Sequence, residues 1–337
     1  MGLLLTAAGV ALIVWLARKV GWPAVATNIR LIGGWFPVLV AIYLVPQAAF
    51  FLGWWIVMDP RPEPRELPRL FGVYLAGDSL NYLAPGGVAG EPLKVRLLSE
   101  EMDPGRALAA VTLHKHVDFL AQWLFVVAGV VVTLAGFPLP PRIRVAALAG
   151  VGLLGALLLL WTLSLRRGTY GPALRWLSRF RPLEGYLARH RGSARSADAR
   201  IRRFHGARRG RFALAAALCF VGWCGGLVET YLVLRLLAPG SGWPAAFGVE
   251  CLSMVLATML LFIPGRLGGA EGARAGVCLL LGLTAVQGVA YGLVRRAREL
   301  VWALPGLLVL LFRRARTRPS TLAPRVPAAV AGGEARS

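Results

Sequence analysis

Two sets of ionisable residues lie in otherwise apolar sequence at matched spacing. Glu91 is followed by Lys94 and then, 24 residues after the acid, by Lys115 and Asp118; Glu271 is followed by Arg274 and, 25 residues on, by Arg296 and Glu299. A carboxylate held beside a cation in apolar surroundings can bind a polar headgroup, pass a proton or act as a general base, and its cost in hydrocarbon makes a functional role the default reading. Each acid stands just past a helix-breaking run, Pro85, Gly86 and Gly90 in the first set and Pro264, Gly265 and Gly269 in the second. Pro85, Gly86, Val88, Gly90, Glu91 and Lys94 answer to Pro264, Gly265, Leu267, Gly269, Glu271 and Arg274, given one inserted residue. A lone Pro-Gly-x-x-Gly would carry no weight, but two with the same acid, base and later base-x-x-acid indicate an internal duplication.

Structural readings stand beside the functional ones. Glu91 and Glu271 could serve as helix N-terminal acids, worth about 0.3 to 1 kcal/mol against the macrodipole. Asp78 and Asn81 precede the first break by a turn or two, where they either satisfy freed backbone groups or bind a headgroup. His114 and Asp118, four apart on one helical face, form with Lys115 either a satisfied interfacial pair or a proton relay. Arg295, Arg296, Arg298 and Glu299 lie within a long apolar stretch, where Glu299 makes helix-face pairs with Arg295 or Arg296. Glu229 and Glu250 are lone acids of lower rank.

The elements that must position these groups are membrane spans. The chain has 337 residues, 57% hydrophobic and 16% charged, with a mean hydropathy of +0.62. Those values indicate an all-α polytopic membrane protein. About six full spans are expected, near 1–17, 34–58, 107–137, 145–164, 212–237 and 285–311. Met1 to Ala17 has no basic region before it and reads as an uncleaved span. Residues 18–33 suit an interfacial amphipathic helix, and the prolines of 59–68 make that stretch a loop. The expected organisation is one transmembrane domain over 1–311, with repeat-like halves near 34–137 and 212–311, a basic loop at 165–211 and a disordered basic tail at 312–337.

Residues 70–98 and 243–283 depart from the ordinary span. Each begins as an apolar helix, breaks at Pro-Gly and resumes around the acid, which is the pattern of a re-entrant hairpin shielded by protein or lining a wet cavity. The net charge is +22. Fourteen arginines fall between Leu165 and Arg211, opposed there by Glu184 and Asp198, and more follow in the tail. Basic residues beside spans indicate cytoplasmic orientation and contact with anionic headgroups, and without aromatic interleaving they give no support to a nucleic-acid partner. If both hairpins are re-entrant, the N- and C-termini are cytoplasmic, the hairpins enter from opposite sides and the repeats are inverted. The four cysteines, Cys219, Cys224, Cys251 and Cys278, lack ligand spacing and read as packing residues, so no metal is expected.

Three motifs carry a family resemblance: Asn81-x-x-x-Pro85 leading to Gly90-Glu91-x-x-Lys94, then Pro264-Gly-x-Leu-Gly-x-x-Glu271-Gly272, and Arg295-Arg-Ala-Arg-Glu299 ahead of Leu304-Pro-Gly-Leu-Leu308. From about residue 30 to 312 the chain resembles the flippase-like membrane domain of bacterial lysylphosphatidylglycerol synthases and its stand-alone relatives. Its Arg-Ala-Arg-Glu and Leu-Pro-Gly-Leu ending looks most like the membrane protein associated with hopanoid biosynthesis. The resemblance implies an inner-membrane protein that moves a lipid, a phospholipid or a hopanoid, between leaflets. The synthases carry a soluble aminoacyl-transferase domain after the membrane part. Here a short tail follows instead, so aminoacyl transfer is not expected.

No P-loop, His-Glu-x-x-His or Gly-x-Ser-x-Gly motif occurs, so neither an enzyme nor a cofactor is expected. The substrate-binding set is Asp78, Asn81, Glu91, Lys94, Glu271, Arg274, Arg296 and Glu299. A membrane transferase using Glu91 or Glu271 as general base on a lipid-linked substrate is the alternative.

Overall fold

The structure is a computed structural model that describes residues 22–83, 89–178, 184–259 and 266–317. The breaks at Pro85, Gly86, Pro264 and Gly265, the segment 1–17 and the tail beyond Thr317 lie outside the described residues. Every regular element among those described is helical. The order is α1 (Trp22–Gly33), α2 (Phe36–Ile42), α3 (Leu44–Val57), α4 (Leu67–Leu83), α5 (Gly90–Ser99), α6 (Pro104–Gly136), α7 (Pro141–Arg167), α8 (Tyr170–Leu177), α9 (Glu184–Ala207), α10 (Arg209–Leu237), α11 (Trp243–Met259), α12 (Arg266–Leu280) and α13 (Ala285–Thr317).

Among the described residues, four stretches are long and apolar enough to cross a membrane: Phe36–Val57, Pro104–Gly136, Pro141–Arg167 and Arg209–Leu237. The protein is thus an all-α polytopic membrane protein, as its composition requires. The last expected span, 285–311, forms most of a 33-residue helix whose four central charged residues keep it out of that apolar group. The basic stretch 165–211, expected as a loop, contains α8 and the 24-residue α9. Helix α9 lies against the start of α6, where Gly105 leaves space for Ser196.

Local chemistry sets the ends of these helices. Asp103 caps α6 by accepting from the Arg106 amide at 2.8 Å, with Pro104 in the first turn, where its missing N–H costs nothing. Thr284 and Gln287 form a reciprocal capping box ahead of α13. Gly168 closes α7 at φ +94°, a backbone conformation that side-chain-bearing residues rarely adopt.

The duplication is visible in element lengths. One half runs from a long span through a 17-residue helix, a second short helix and a 33-residue helix (α2–α3, α4, α5, α6). The other repeats that order in α10, α11, α12 and α13, again with 17 residues in the first hairpin helix and 33 in the last.

Packing shows how the halves are related. The equivalent spans α3 and α10 touch each other, with Gly53 against Cys219, Phe50 against Gly222 and Pro46 against Gly225. Numbers rising on one helix meet numbers falling on the other, so two equivalent elements run antiparallel and the repeats are inverted. Small residues at this crossing let the backbones approach closely, which drives association where lipid and side chain are equally apolar.

The hairpins then exchange partners. Helix α4 packs on α13, with Gly72 against Val309 and Gly306 against Leu75 and Ser79, while α11 packs on α6, with Gly248 against Thr133 and Gly136 against Pro244. Each hairpin therefore rests on the last helix of the other half.

Candidate functional site

Helix α5 folds back along α4 so tightly that a Cβ at Gly90 would overlap the Gly77 carbonyl, and Lys94 lies across Gly77. That approach delivers Glu91 to Asn81. The Asn81 carbonyl oxygen accepts from the Gly90 amide at 2.7 Å, and its amide donates to Glu91 Oε1 at 3.1 Å. Asn81 thereby satisfies an orphan donor of the first turn of α5 and orients the acid. Two cations share the same carboxylate oxygen, Lys94 at 3.5 Å and Lys115 of α6 at 3.6 Å. Lys115 also bonds Asp118 at 3.2 Å, and the other Asp118 oxygen accepts from the Trp223 indole at 3.2 Å.

The second half repeats this arrangement. Arg296 of α13 reaches Glu271 of α12 at 3.1 Å and Glu299 at 3.1 Å. Two acid–base–acid triads result, Glu91–Lys115–Asp118 and Glu271–Arg296–Glu299, each joining the returning helix of a hairpin to the long helix that follows it. The acids differ in placement, because Glu91 lies in the first turn of α5 whereas Glu271 is the sixth residue of α12.

A cavity of about 330 Å³ has walls from both halves; Lys115, Asp118 and Glu299 of the triads line it, whereas Asn81, Glu91, Glu271, Arg274 and Arg296 stand behind its wall. The first half contributes Asp78, Lys94, Lys115 and Asp118, and the second Glu250, Arg295 and Glu299. Asp78 is held by the Gln47 amide at 2.9 Å, and the Tyr43 and Tyr82 hydroxyls meet at 3.0 Å. Lys94 is buried, with its ammonium 4.8 Å from the centre of the Tyr74 ring. On the opposite wall Arg295 donates to Glu250 at 2.7 and 2.8 Å and to the Tyr291 hydroxyl at 2.8 Å. Thr230 donates to the same carboxylate at 2.9 Å.

Several expected placements change. His114 does not bond Asp118: it packs against the Trp54 and Tyr74 rings, and its buried Nε2 has no partner among the described residues. Asp118 pairs instead with Lys115 and Trp223, because the helix turns those groups toward α10. Arg274 lies over the Tyr291 ring at 5.6 Å and makes no ion pair with Glu271. Gly90 and Gly269, expected at the hairpin breaks, fall within helices α5 and α12 instead.

Glu250 and Glu229, ranked low from sequence as lone acids, are each paired in space. Glu250 meets Arg295, 45 residues on, and Glu229 meets Arg298 at 2.8 Å. Separation of acid and base along the chain hid these pairs. The Arg-x-x-Arg spacing of Arg295 and Arg298, which sends two cations to neighbouring faces of one helix, was the available signal. Among the described residues no group of three or more His, Cys, Asp or Glu is placed to hold a metal ion.

The arrangement can grip a polar, charged group through fixed carboxylates, an ammonium and guanidinium groups while apolar helices surround it. Compared with known protein families, residues 1–306 match the family described as the lysylphosphatidylglycerol synthase TM region. No curated protein and no solved structure matches the chain.

Proposed function

Since the chain belongs to the family of the lysylphosphatidylglycerol synthase transmembrane region, we propose that it moves a polar lipid between the leaflets of the membrane it spans. The observation that carries this reading is one cavity shared by two inverted repeats, into which each acid–base–acid triad sends a charge, Lys115 and Asp118 from one and Glu299 from the other. Inverted halves give a site two related ways to open, one toward each face, and discontinuous helices place backbone groups and charges at the depth where a headgroup must pass. In this reading Lys94, Lys115, Arg295 and Glu299 meet the headgroup in the cavity, Glu91 and Glu271 hold Lys115 and Arg296 from behind it, and the acyl or polycyclic body stays in lipid. By the distribution of arginines, α8 and α9 lie on the cytoplasmic side of a bacterial inner membrane.

Proteoliposomes holding the purified chain and a headgroup-labelled phospholipid test the reading. Labelled lipid should change leaflets unaltered, and more slowly when Glu91 or Glu271 is replaced by Gln. A hopanoid added as competitor should slow it further if the polycyclic class is the natural cargo. Chemically modified lipid as the only protein-dependent product would establish a transferase instead.

A further inference from the structure

A second groove, of about 840 Å³, opens on the flank of the molecule between α6, α7, α9 and α10, away from the central cavity. Its wall is apolar. Leu120 and Trp123 of α6 and Leu158 of α7 line it, with the exposed Leu159 at its rim, and the absence of a side chain at Gly155 makes the slot, since a Cβ there would sit 2.9 Å from the Trp123 indole nitrogen. The indole donates to the Val151 carbonyl at 3.1 Å, which fixes the ring as the floor.

One turn further toward the end of α7 the lining changes to Arg166, Arg202 and Arg209. All three are exposed, and none has a carboxylate partner among the described residues. The neighbouring cleft shares Arg202 and adds Arg167, Arg191 and Arg195. Its acid, Asp198, accepts from the backbone amides of Thr169, Tyr170 and Gly171 at 2.8 to 3.1 Å and so is already committed.

The histidines between the two zones contribute no donor. His205 Nδ1 faces the Ile201 carbonyl at 2.9 Å and must carry the proton, so in the neutral ring Nε2 accepts from His116 Nδ1 at 3.2 Å. His116 Nε2 then faces the Thr162 hydroxyl at 2.8 Å. Both rings are used up in bracing α6, α7 and α9.

We propose that this groove is a binding site for an anionic membrane phospholipid, with one acyl chain along Trp123, Gly155 and Leu159 and the phosphate on Arg166, Arg202 and Arg209. An apolar slot at span depth that ends in unpaired guanidinium groups at the basic end of the bundle complements a lipid in both parts, and guanidinium groups match phosphate geometry in pairs. The site is separate from the central cavity and does not depend on what that cavity carries.

The test uses the full chain in nanodiscs containing phosphatidylglycerol or phosphatidylcholine, each with a diazirine in the acyl chain, followed by mapping of the cross-linked peptides. Phosphatidylglycerol should label the 155–162 segment of α7 at least about tenfold more than phosphatidylcholine, and replacing Arg166, Arg202 and Arg209 together by Gln should remove that preference. Among the described residues those arginines have no carboxylate partners to lose. Leu159→Trp, which fills the slot from its exposed side, should lower labelling by both lipids. Glu91→Gln should leave labelling unchanged, which keeps this site distinct from the central one. Equal labelling by the two lipids, or a preference that survives the triple replacement, would overturn the assignment, as would suppression by millimolar inorganic phosphate, which would mark a site for a free anion.

Discussion

Glu229 and Arg298 approach to 2.8 Å with both side chains 1% exposed, one from α10 and the other from α13. The guanidinium of Arg298 also lies over the Tyr43 ring at 3.4 Å, so this ion pair ties the second half to the junction of α2 and α3. Removing one partner of such a pair leaves an uncompensated charge, whereas replacing both with apolar groups of similar volume does not. Glu229→Leu and Arg298→Met are each expected to lower stability by about 3 to 5 kcal/mol, and the double variant to recover most of it. Thermal unfolding of the detergent-solubilised protein checks this; a double variant as unstable as the singles would assign the pair another role.

Glu91→Gln and Glu271→Gln keep hydrogen-bonding capacity and remove charge from the oxygen that Lys115 or Arg296 faces. A charge-assisted bond contributes about 1.5 to 3 kcal/mol, so each change is expected to slow lipid movement by roughly tenfold to a hundredfold at normal abundance. Full activity in both variants would confine the triads to holding the helices together.

Close packing predicts a separate class of defect. A Cβ at Gly306 would overlap Ser79 and the Leu75 carbonyl, and one at Gly90 would overlap the Gly77 carbonyl. Gly306→Ala and Gly90→Ala should each cost about 1 to 3 kcal/mol through overpacking. Gly152→Ala, with open space around it, should have little effect. Melting temperatures of the three purified variants are the measurement.

Inversion makes a topological prediction. In a background lacking Cys219, Cys224, Cys251 and Cys278, cysteines at Leu67 and Ser241 stand at the entrances of the two hairpins. An impermeant thiol reagent should reach Leu67→Cys from the cytoplasm and Ser241→Cys from the periplasm. Labelling of both from one side would contradict the opposed entry of the hairpins.

Much of this architecture was legible in the residues because the duplication is chemical as well as apolar. The matched spacing of Glu91 to Lys115 and of Glu271 to Arg296 spans the returning helix, a turn and the first part of the long helix, so spacings of 24 and 25 residues brought the corresponding acid and base together in each half. Helix α9 was not legible, since its arginine density obscures the short apolar stripe that it buries, Ala194, Ala197, Ile201 and Phe204, two of whose four members are only alanine. The pairing of Glu250 with Arg295 was hidden for another reason: it depends on how α11 crosses α13, and no local pattern encodes that crossing.

The exchange of hairpins between halves also orders events during synthesis. Ser79 lies 2.9 Å from the Ala303 carbonyl, a partner 224 residues further along the chain. At ribosomal rates of about 5 to 20 residues per second, α4 waits on the order of ten to forty-five seconds for α13 to be made. Until then the first half lacks Glu250, Arg295 and Glu299, the charged wall that completes the cavity opposite Asp78 and Lys94.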